Sequence, residues 1–330
     1  MSKLVTIFGG SGFVGRYIAR RMAQEGWRVR VAVRRPNEAM FVRTYGAVGQ
    51  VEPMLCNIRD RASVAAVLHG ADAAVNCVGI LNEDGRNTFG LVQHYGALHV
   101  AEEAAKAGVA RLVQISAIGA DSHAKSAYAE TKGRGEEAVK EHFPDAVILR
   151  PSIVFGAEDQ FFNRFASMAR FSPFLPVTGG NTLFQPVYVD DVARAAVMGV
   201  TGQAAPGTYE LGGPEVKTFA ELMEDMLEVI RRPKVWVINM PFFVSAAMGT
   251  VFDFLQSISL GLFTNKILTR DQVRNLAHDN VVGADMPGFA ELGIAPVAME
   301  AVLPEYLWRY RPAGQFYEIK DSAKKLRSQE

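Results

Sequence analysis

Apolar and polar positions alternate in blocks along the first 150 residues. Short apolar runs occur at Leu4–Phe8, Arg28–Val33, Met54–Cys56, Ala73–Cys77, Leu112–Ile115 and Val147–Leu149. They are rich in Val, Ile and Leu, as strands covered on both faces are. Helix-length amphipathic segments separate them. After the first run, Val14, Tyr17, Ile18 and Met22 recur at helical spacing, with Arg16, Arg20 and Arg21 on other faces. Strand–helix–strand repeated along a chain predicts an α/β fold, a doubly wound parallel sheet.

Beyond Arg150 the rhythm changes, and Pro151, Pro173, Pro176, Pro186 and Pro206 punctuate shorter segments. A helix is predicted after Lys217-Thr218, with Phe219, Leu222, Met223, Met226, Leu227 and Ile230 on one stripe. The expected organisation is a sheet domain over residues 1–155 and a small C-terminal α/β lobe over 156–330, interleaved with the first. The end, with Lys320, Lys324, Lys325 and Arg327, reads as a solvated polar tail or an arm that docks on a partner.

Composition narrows the function classes. Apolar residues are 49% and charged residues 21% of the 330, which supports a folded chain with ample core. Lys plus Arg equals Asp plus Glu, so no net field favours nucleic acid, and no nucleic-acid partner is expected. Two cysteines, Cys56 and Cys77, make no disulfide framework and suit buried thiols in a reducing compartment. The first strand begins at Leu4 with no longer apolar stretch before it, so no targeting segment is expected.

The first strand runs into Gly9-Gly10-Ser11-Gly12-Phe13-Val14-Gly15, where a helix opens. Glycines allow the tight turn and a close backbone approach, and the helix N-terminus favours a pyrophosphate. The spacing is G-x-x-G-x-x-G at Gly9, Gly12 and Gly15, within a strand–turn–helix context, and predicts dinucleotide binding. The second strand ends Val33-Arg34-Arg35-Pro36. An acid there would accept the ribose hydroxyls of NAD. Arginines instead suit a 2′-phosphate, so NADPH is the expected cofactor. No metal site is expected.

Tyr128 and Lys132 stand four apart in Ser126-Ala127-Tyr128-Ala129-Glu130-Thr131-Lys132, which reads as a helix start. The spacing puts both on one face. An ammonium close by would lower the phenol pKa and make Tyr128 a general acid/base.

These features together resemble the short-chain dehydrogenase/reductase superfamily, in its extended and atypical branch, whose fold is the Rossmann sheet. The likeness rests on the glycine loop, Asn76-Cys77-Val78-Gly79, Tyr128-x-x-x-Lys132, Leu149-Arg150-Pro151-Ser152-Ile153-Val154-Phe155-Gly156 and Gln185-Pro186-Val187-Tyr188-Val189-Asp190-Asp191-Val192-Ala193. It covers about residues 3–230. It implies that Gly9, Gly12, Gly15, Arg34, Cys77, Tyr128, Lys132, Pro151 and Ile153 touch the cofactor, with Phe13, Val14, Arg35, Asn57, Ile58, Val78 and Gly79 completing the set. Lys132 would bind the nicotinamide ribose, and Tyr128 would exchange a proton with the substrate oxygen.

One departure matters. The superfamily's third catalytic residue is a Ser or Thr second or third in the turn after the fifth strand. Here the turn reads Ser116-Ala117-Ile118-Gly119, with Ser116 first and no hydroxyl at the next two places. Ser122 is the nearest replacement. Loss of a positioned donor typically costs about 10²–10³-fold in rate. The phrases Phe8–Arg16, Arg34-Arg35-Pro36, Gln114–Ala120 and Tyr128–Glu136 look like the nucleotide-binding accessory subunits of respiratory complex I and their bacterial relatives. That resemblance implies NADPH held structurally, other complex I subunits as partners, and a peripheral place on the cytoplasmic face of a bacterial inner membrane, or the matrix face of a mitochondrial one. The competing readings are a soluble NADPH-dependent reductase or epimerase of the same branch, and an NADP(H) redox sensor.

From Met240 to Phe263 the chain is apolar, with Asp253 its one charge. Val244, Met248, Val251, Leu255, Ile258 and Leu262 recur at helical spacing, and Phe242, Phe243, Phe252, Phe254 and Phe263 widen the stripe. A central Asp costs roughly 2.5–3.5 kcal/mol in a bilayer, which argues against a span. A helix buried in the small lobe, an interfacial helix on the membrane and a surface docked on partner subunits all fit. Arg231, Arg232, Lys234, Lys266 and Arg270 flank the stretch and suit lipid headgroups.

Overall fold

The strand–helix repeat is present in the computed structural model, which describes residues 2–258, 269–317, 319 and 322, with side chains described throughout except at 252–258. Lys320, Lys324, Lys325 and Arg327 of the polar tail, Leu262, Phe263, Lys266 and the side chains of Phe252, Asp253, Phe254, Leu255 and Ile258 lie outside the described residues.

The first half runs β1 (Leu4–Phe8), α1 (Phe13–Gln24), β2 (Arg28–Val33), β3 (Val51–Leu55), α2 (Arg61–Leu68), β4 (Ala73–Asn76), α3 (Tyr95–Lys106), β5 (Arg111–Ile115), α4 (Ala127–His142) and β6 (Val147–Pro151). The second runs β7 (Val154–Phe155), α5 (Phe162–Ala169), β8 (Phe174–Thr178), β9 (Leu183–Phe184), β10 (Val187–Tyr188), α6 (Val189–Thr201), β11 (Gly207–Leu211), β12 (Lys217–Thr218), α7 (Phe219–Val229), β13 (Trp236–Met240), α8 (Phe242–Ile258), α9 (Arg270–Asn275) and α10 (Met299–Leu307).

Seven strands form one parallel sheet in the order β11-β6-β5-β4-β1-β2-β3. Alternate residues of β1 feed opposite faces. Val5 and Ile7 join a core with Ile18 and Met22 of α1 and Val192 and Ala196 of α6. Leu4 and Phe8 join another with Val64 and Leu68 of α2, Val100 and Ala104 of α3 and Val139 of α4. The third strand lies on Val51–Leu55 instead of the expected Met54–Cys56. Met54 and Leu55 are exposed there because β3 is an edge.

The chain returns to the sheet after leaving it. β11 pairs with β6, placing Tyr209 and Leu211 in the first core, and Phe289, Leu292 and Ile294 close that core from still later in the chain. A third core gathers Phe155, Phe162, Leu175, Phe184, Phe219, Leu222, Met226, Leu303 and Leu307. The predicted stripe on α7 is the buried one, and Thr218 and Glu221 start the helix with a reciprocal capping box.

α8 presents the other side of its predicted stripe. Ser245 is fully buried and shares a 2.7 Å hydrogen bond with Thr178, and Gly249 packs against Thr269 and Arg270. Phe242, Phe243, Met248 and Val251 face outward, Phe243 at 76% exposure. Expectation of an ordinary core helix therefore fails over the described side chains. Small residues let α8 lie close, and its large apolar groups are left outside. On the β8/β13 ribbon Phe174, Trp236 and Ile238 are also exposed. Among the described residues no helix is long and apolar enough to cross a membrane.

Candidate functional site

The sheet order reverses direction between β1 and β4, and the crevice beyond their C-terminal ends is where open α/β sheets bind ligands. The glycine turn lies there. Gly9 has φ +73°, and a Cβ on Gly15 would stand 2.3 Å from the Gly9 carbonyl oxygen and 2.8 Å from Gly10 Cα. α1 can pack this close to the turn only because both positions are glycine. Gly12 is the N-cap of α1 and has no side chain to occupy the helix's free N–H groups. The turn is a cradle of backbone donors that fits a pyrophosphate. Phe13 stacks edge-on to Tyr17 beside Gly156, and Val14 packs on the first core.

The loop after β4 flanks this cradle. The Cys77 N–H donates to the Phe8 carbonyl at 2.9 Å, the Val78 N–H donates to Asn76 Oδ1 at 3.1 Å, and Val78 lies against Gly9. Gly79 adjoins the Lys132 ammonium; a Cβ there would stand 3.3 Å from Nζ. Gly9, Cys77, Val78, Gly79 and Lys132 are thus brought together. Burial pushes the Cys77 thiol up to about 12, which leaves it a neutral packing group.

At the other end of the crevice, Arg34 Nη1 donates to Asn87 Oδ1 at 3.1 Å, and Arg35 pairs with Glu38 on the surface at 3.1 Å. Of the two arginines, Arg34 faces the crevice loops. Asn57 accepts from the Arg59 backbone N–H at 3.2 Å and from its Nε at 3.3 Å. Ile58 is buried in the second core against Gly96, and its carbonyl meets His99 Nδ1 at 3.1 Å.

α4 carries Tyr128 and Lys132. Ser126 caps it, and Asp271 of α9 reaches across 145 positions to the same end, accepting from Ser126 Oγ at 2.8 Å and from the Ala127 and Tyr128 N–H groups at 2.9 and 3.1 Å. A carboxylate at a helix N-terminus is favourable for both. Tyr128 packs edge-on against Phe89. Lys132 is buried and donates to the Ile115 carbonyl at 3.2 Å. Desolvation pushes the Tyr128 phenol up to about 12 and the Lys132 ammonium down to about 8, the latter opposed by Glu136. The phenol is therefore raised by burial instead of lowered by Lys132 as expected.

Both candidate serines are engaged by carboxylates of α4. Ser116 Oγ donates to Glu136 Oε1 at 2.5 Å, and Glu136 pairs with Arg150 at 2.7 Å, which also reaches Glu210 at 3.3 Å. Ser116 is part of this buried ion network. Ser122 donates to Glu137 at 2.5 Å, nine residues along α4 from Tyr128, roughly 13 Å down the helix axis. It cannot replace the absent hydroxyl. Pro151 accepts the Ile118 N–H at 3.1 Å, and the Ile153 carbonyl accepts from Val187 at 2.9 Å, which ties Pro151 at the end of β6 and Ile153 just before β7 to their neighbours.

Several residues here escape sequence reasoning. Asp271 acts from α9 and Asn280 from the loop beyond it, far along the chain, and Asn87 acts from the loop after β4. Asn280 accepts from Ser152 Oγ at 2.7 Å and lies against Ile118. Glu136 alone had a signal: it is four residues beyond Lys132, hence on the same helix face.

Glycine cradle, buried Lys132 and adjacent Tyr128 at a sheet switch point define a dinucleotide-binding protein of the short-chain dehydrogenase/reductase type. Residues 5–212 match the model of the NAD dependent epimerase/dehydratase family, and the chain belongs to that family. It is 34% identical to the mitochondrial NADH dehydrogenase (ubiquinone) 1 alpha subcomplex subunit 9 of Arabidopsis thaliana, over 94% of this chain and 79% of that protein. It is 28% identical to a ceramide reductase of Caulobacter vibrioides, over 86% and 87% of the two chains. The crystal structure of a dTDP-glucose 4,6-dehydratase from Streptomyces venezuelae superposes with a TM-score of 0.70 at 20% identity, covering 93% and 96%, a likeness of fold.

Proposed function

We propose that this protein is an accessory subunit of a respiratory NADH:quinone oxidoreductase that holds NADPH as a structural group. The observation that carries the reading is the fate of the catalytic serine. Ser116 is committed to the Glu136–Arg150 network, and Ala117 and Ile118 offer no hydroxyl in its place. The binding end is retained: the cradle of Gly9, Gly12 and Gly15 fits a pyrophosphate, and Arg34 stands where an acid would select NAD. When bound, the nicotinamide supplies hydride chemistry. In this chain Lys132 would hold its ribose, and Tyr128, protonated at neutral pH, would lie beside it without a partner to orient a carbonyl. The 34% identity to the alpha subcomplex subunit supports the assembly.

The exposed face of Phe242, Phe243, Met248 and Val251, with Trp236 and Ile238, is the docking surface in this reading. Arg231 and Lys234 beside it are exposed and suit a membrane-proximal position on the cytoplasmic side of a bacterial inner membrane. The test is gentle solubilisation of the native membrane, with the accompanying subunits identified. Respiratory subunits should accompany the wild-type protein, and Phe243→Glu should release it while NADPH binding persists. A protein found wholly soluble with no respiratory subunit attached overturns the proposal. The intact Tyr128/Lys132 pair and the ceramide reductase relative favour a second reading, an NADPH-dependent reductase. Rapid NADPH oxidation abolished by Tyr128→Phe would establish it.

A further inference from the structure

The segment between β4 and α3 is longer than a connection requires, running from Cys77 to Phe89 before a π-helical turn at Gly90–His94 leads into α3. Loops of more than about 12 residues are uncommon in compact domains and are usually functional. Its tip is a hairpin closed by two backbone bonds, Asn87 N–H to the Asp84 carbonyl at 2.9 Å and Asp84 N–H to the Asn87 carbonyl at 3.2 Å.

Where the hairpin is tied is informative. β1 lies between β4 and β2, and β2 lies between β1 and β3. A residue following β4 that bonds to the end of β2 spans two strand spacings, ~10 Å, and one that bonds beyond β3 spans three, ~14 Å. Both spans are made. Arg34, just past β2, donates to Asn87 Oδ1 at 3.1 Å, and Arg59, past β3, donates from Nη1 to the Arg86 carbonyl at 2.9 Å. A third tie lies at the opposite end, where Gln272 Nε2 donates to Asn82 Oδ1 at 3.0 Å. Gln272 follows Asp271, the residue that caps the Tyr128 helix. The hairpin therefore crosses the C-terminal edge of the sheet from the Tyr128 end to the Arg34 end, over the glycine turn.

We infer that residues 82–88 form a strap across the dinucleotide, controlling its release and, through Asn87, aiming Arg34 at the adenosine phosphate. The inference rests on the NADPH reading above. Asn87 takes one of the five guanidinium donors with a neutral oxygen. It fixes the side chain without cancelling its charge, and the rest of the fork is left for a dianionic phosphate. An acid at position 87 would fix Arg34 equally well but neutralise it. Arg59 and Gln272 hold the strap down at its two ends, so loosening either opens the crevice to exchange of nucleotide with or without the phosphate.

The experiment uses the full chain. Affinities for NADPH and NADH are measured by calorimetry, and NADPH release by fluorescence after a chase with excess NADP, for wild type, Asn87→Asp and Arg59→Gln, with melting temperatures alongside. Asn87→Asp should weaken NADPH at least about tenfold and leave NADH within about twofold. Arg59→Gln should speed release of NADPH at least about tenfold. An equal loss for both nucleotides in Asn87→Asp would reveal a merely structural loop and overturn the aiming role. Unchanged release in Arg59→Gln would overturn the strap. If Asn87→Asp fails to fold, Asn87→Ala reads the same affinity ratio. A wild-type protein that binds both nucleotides equally removes the NADPH reading and the strap's aiming role together, whereas a wild-type preference untouched by the position 87 variants removes only the latter.

Discussion

The two ends of the crevice have been treated differently. At the phosphate end, the backbone is packed so closely that no side chain fits at Gly15, and the α1 N-terminus is left open. At the nicotinamide end, Tyr128 and Lys132 remain, but the serine beside them is absorbed into a buried ion network. In the proposed reading, the difference between the two ends makes binding and turnover separable loads on the same fold. The turn at the phosphate end is set by glycine geometry, with no room for a Cβ at Gly15. Turnover needs one hydroxyl at one place, which can be lost without disturbing a core.

The largest expected effect is at the phosphate end. Gly15→Ala pushes a methyl into the Gly9 carbonyl and should cost about 1–3 kcal/mol of stability, read from the denaturation midpoint. It should also abolish nucleotide binding in calorimetry; unaltered affinity would mean that the cradle is not the binding element. Arg34→Asp should come next, inverting a preference for NADPH of about tenfold, or ~1.4 kcal/mol. Equal affinities in the unaltered protein would remove the basis for that expectation.

Lys132 supplies a test that depends on pH. Its pKa is lowered in the fold from 10.5 to about 8, so between those values the unfolded chain holds the extra proton. Stability contributed by this residue therefore rises with pH across that window, and below pH 8 the buried ammonium is a constant penalty. Wild type minus Lys132→Met should climb by roughly 1–3 kcal/mol from pH 8 to pH 10 in denaturant titrations. A flat difference would mean that Lys132 is better solvated than its burial implies. The smallest effect belongs to Tyr128→Phe, which removes a hydroxyl from a nearly fixed ring. Stability and NADPH affinity should stay within about 0.5 kcal/mol of wild type; a tenfold loss of affinity would show the hydroxyl holding the cofactor.

Much of this architecture was legible in the sequence. Apolar runs gave the sheet because parallel strands are buried on both faces, and the apolar stripe after Lys217-Thr218 marked α7. The glycine spacing was local as well. What could not be read was long-range. The partners of Ser116 lie 20 and more positions away on α4 and β6, and Asp271 reaches α4 across nearly half the chain. On α8 the periodic apolar stripe was real but pointed outward. Periodicity reports that a helix has two faces, and only the packing of Ser245 and Gly249 reveals which one is inside.

The late return of β11 to the sheet has a consequence during synthesis. The chain leaves the ribosome in order, so β6 emerges about 60 residues before the strand that pairs with it, and Phe289, Leu292 and Ile294 come later still. Until then one edge of the sheet stands bare, with the backbone of β6 unpaired on one side and Arg150 short of Glu210. An open parallel edge with apolar residues is the type of surface that recruits other strands. The nascent protein thus passes through a sticky stage that ends only when almost the whole chain is free, and a holding chaperone would act in that interval.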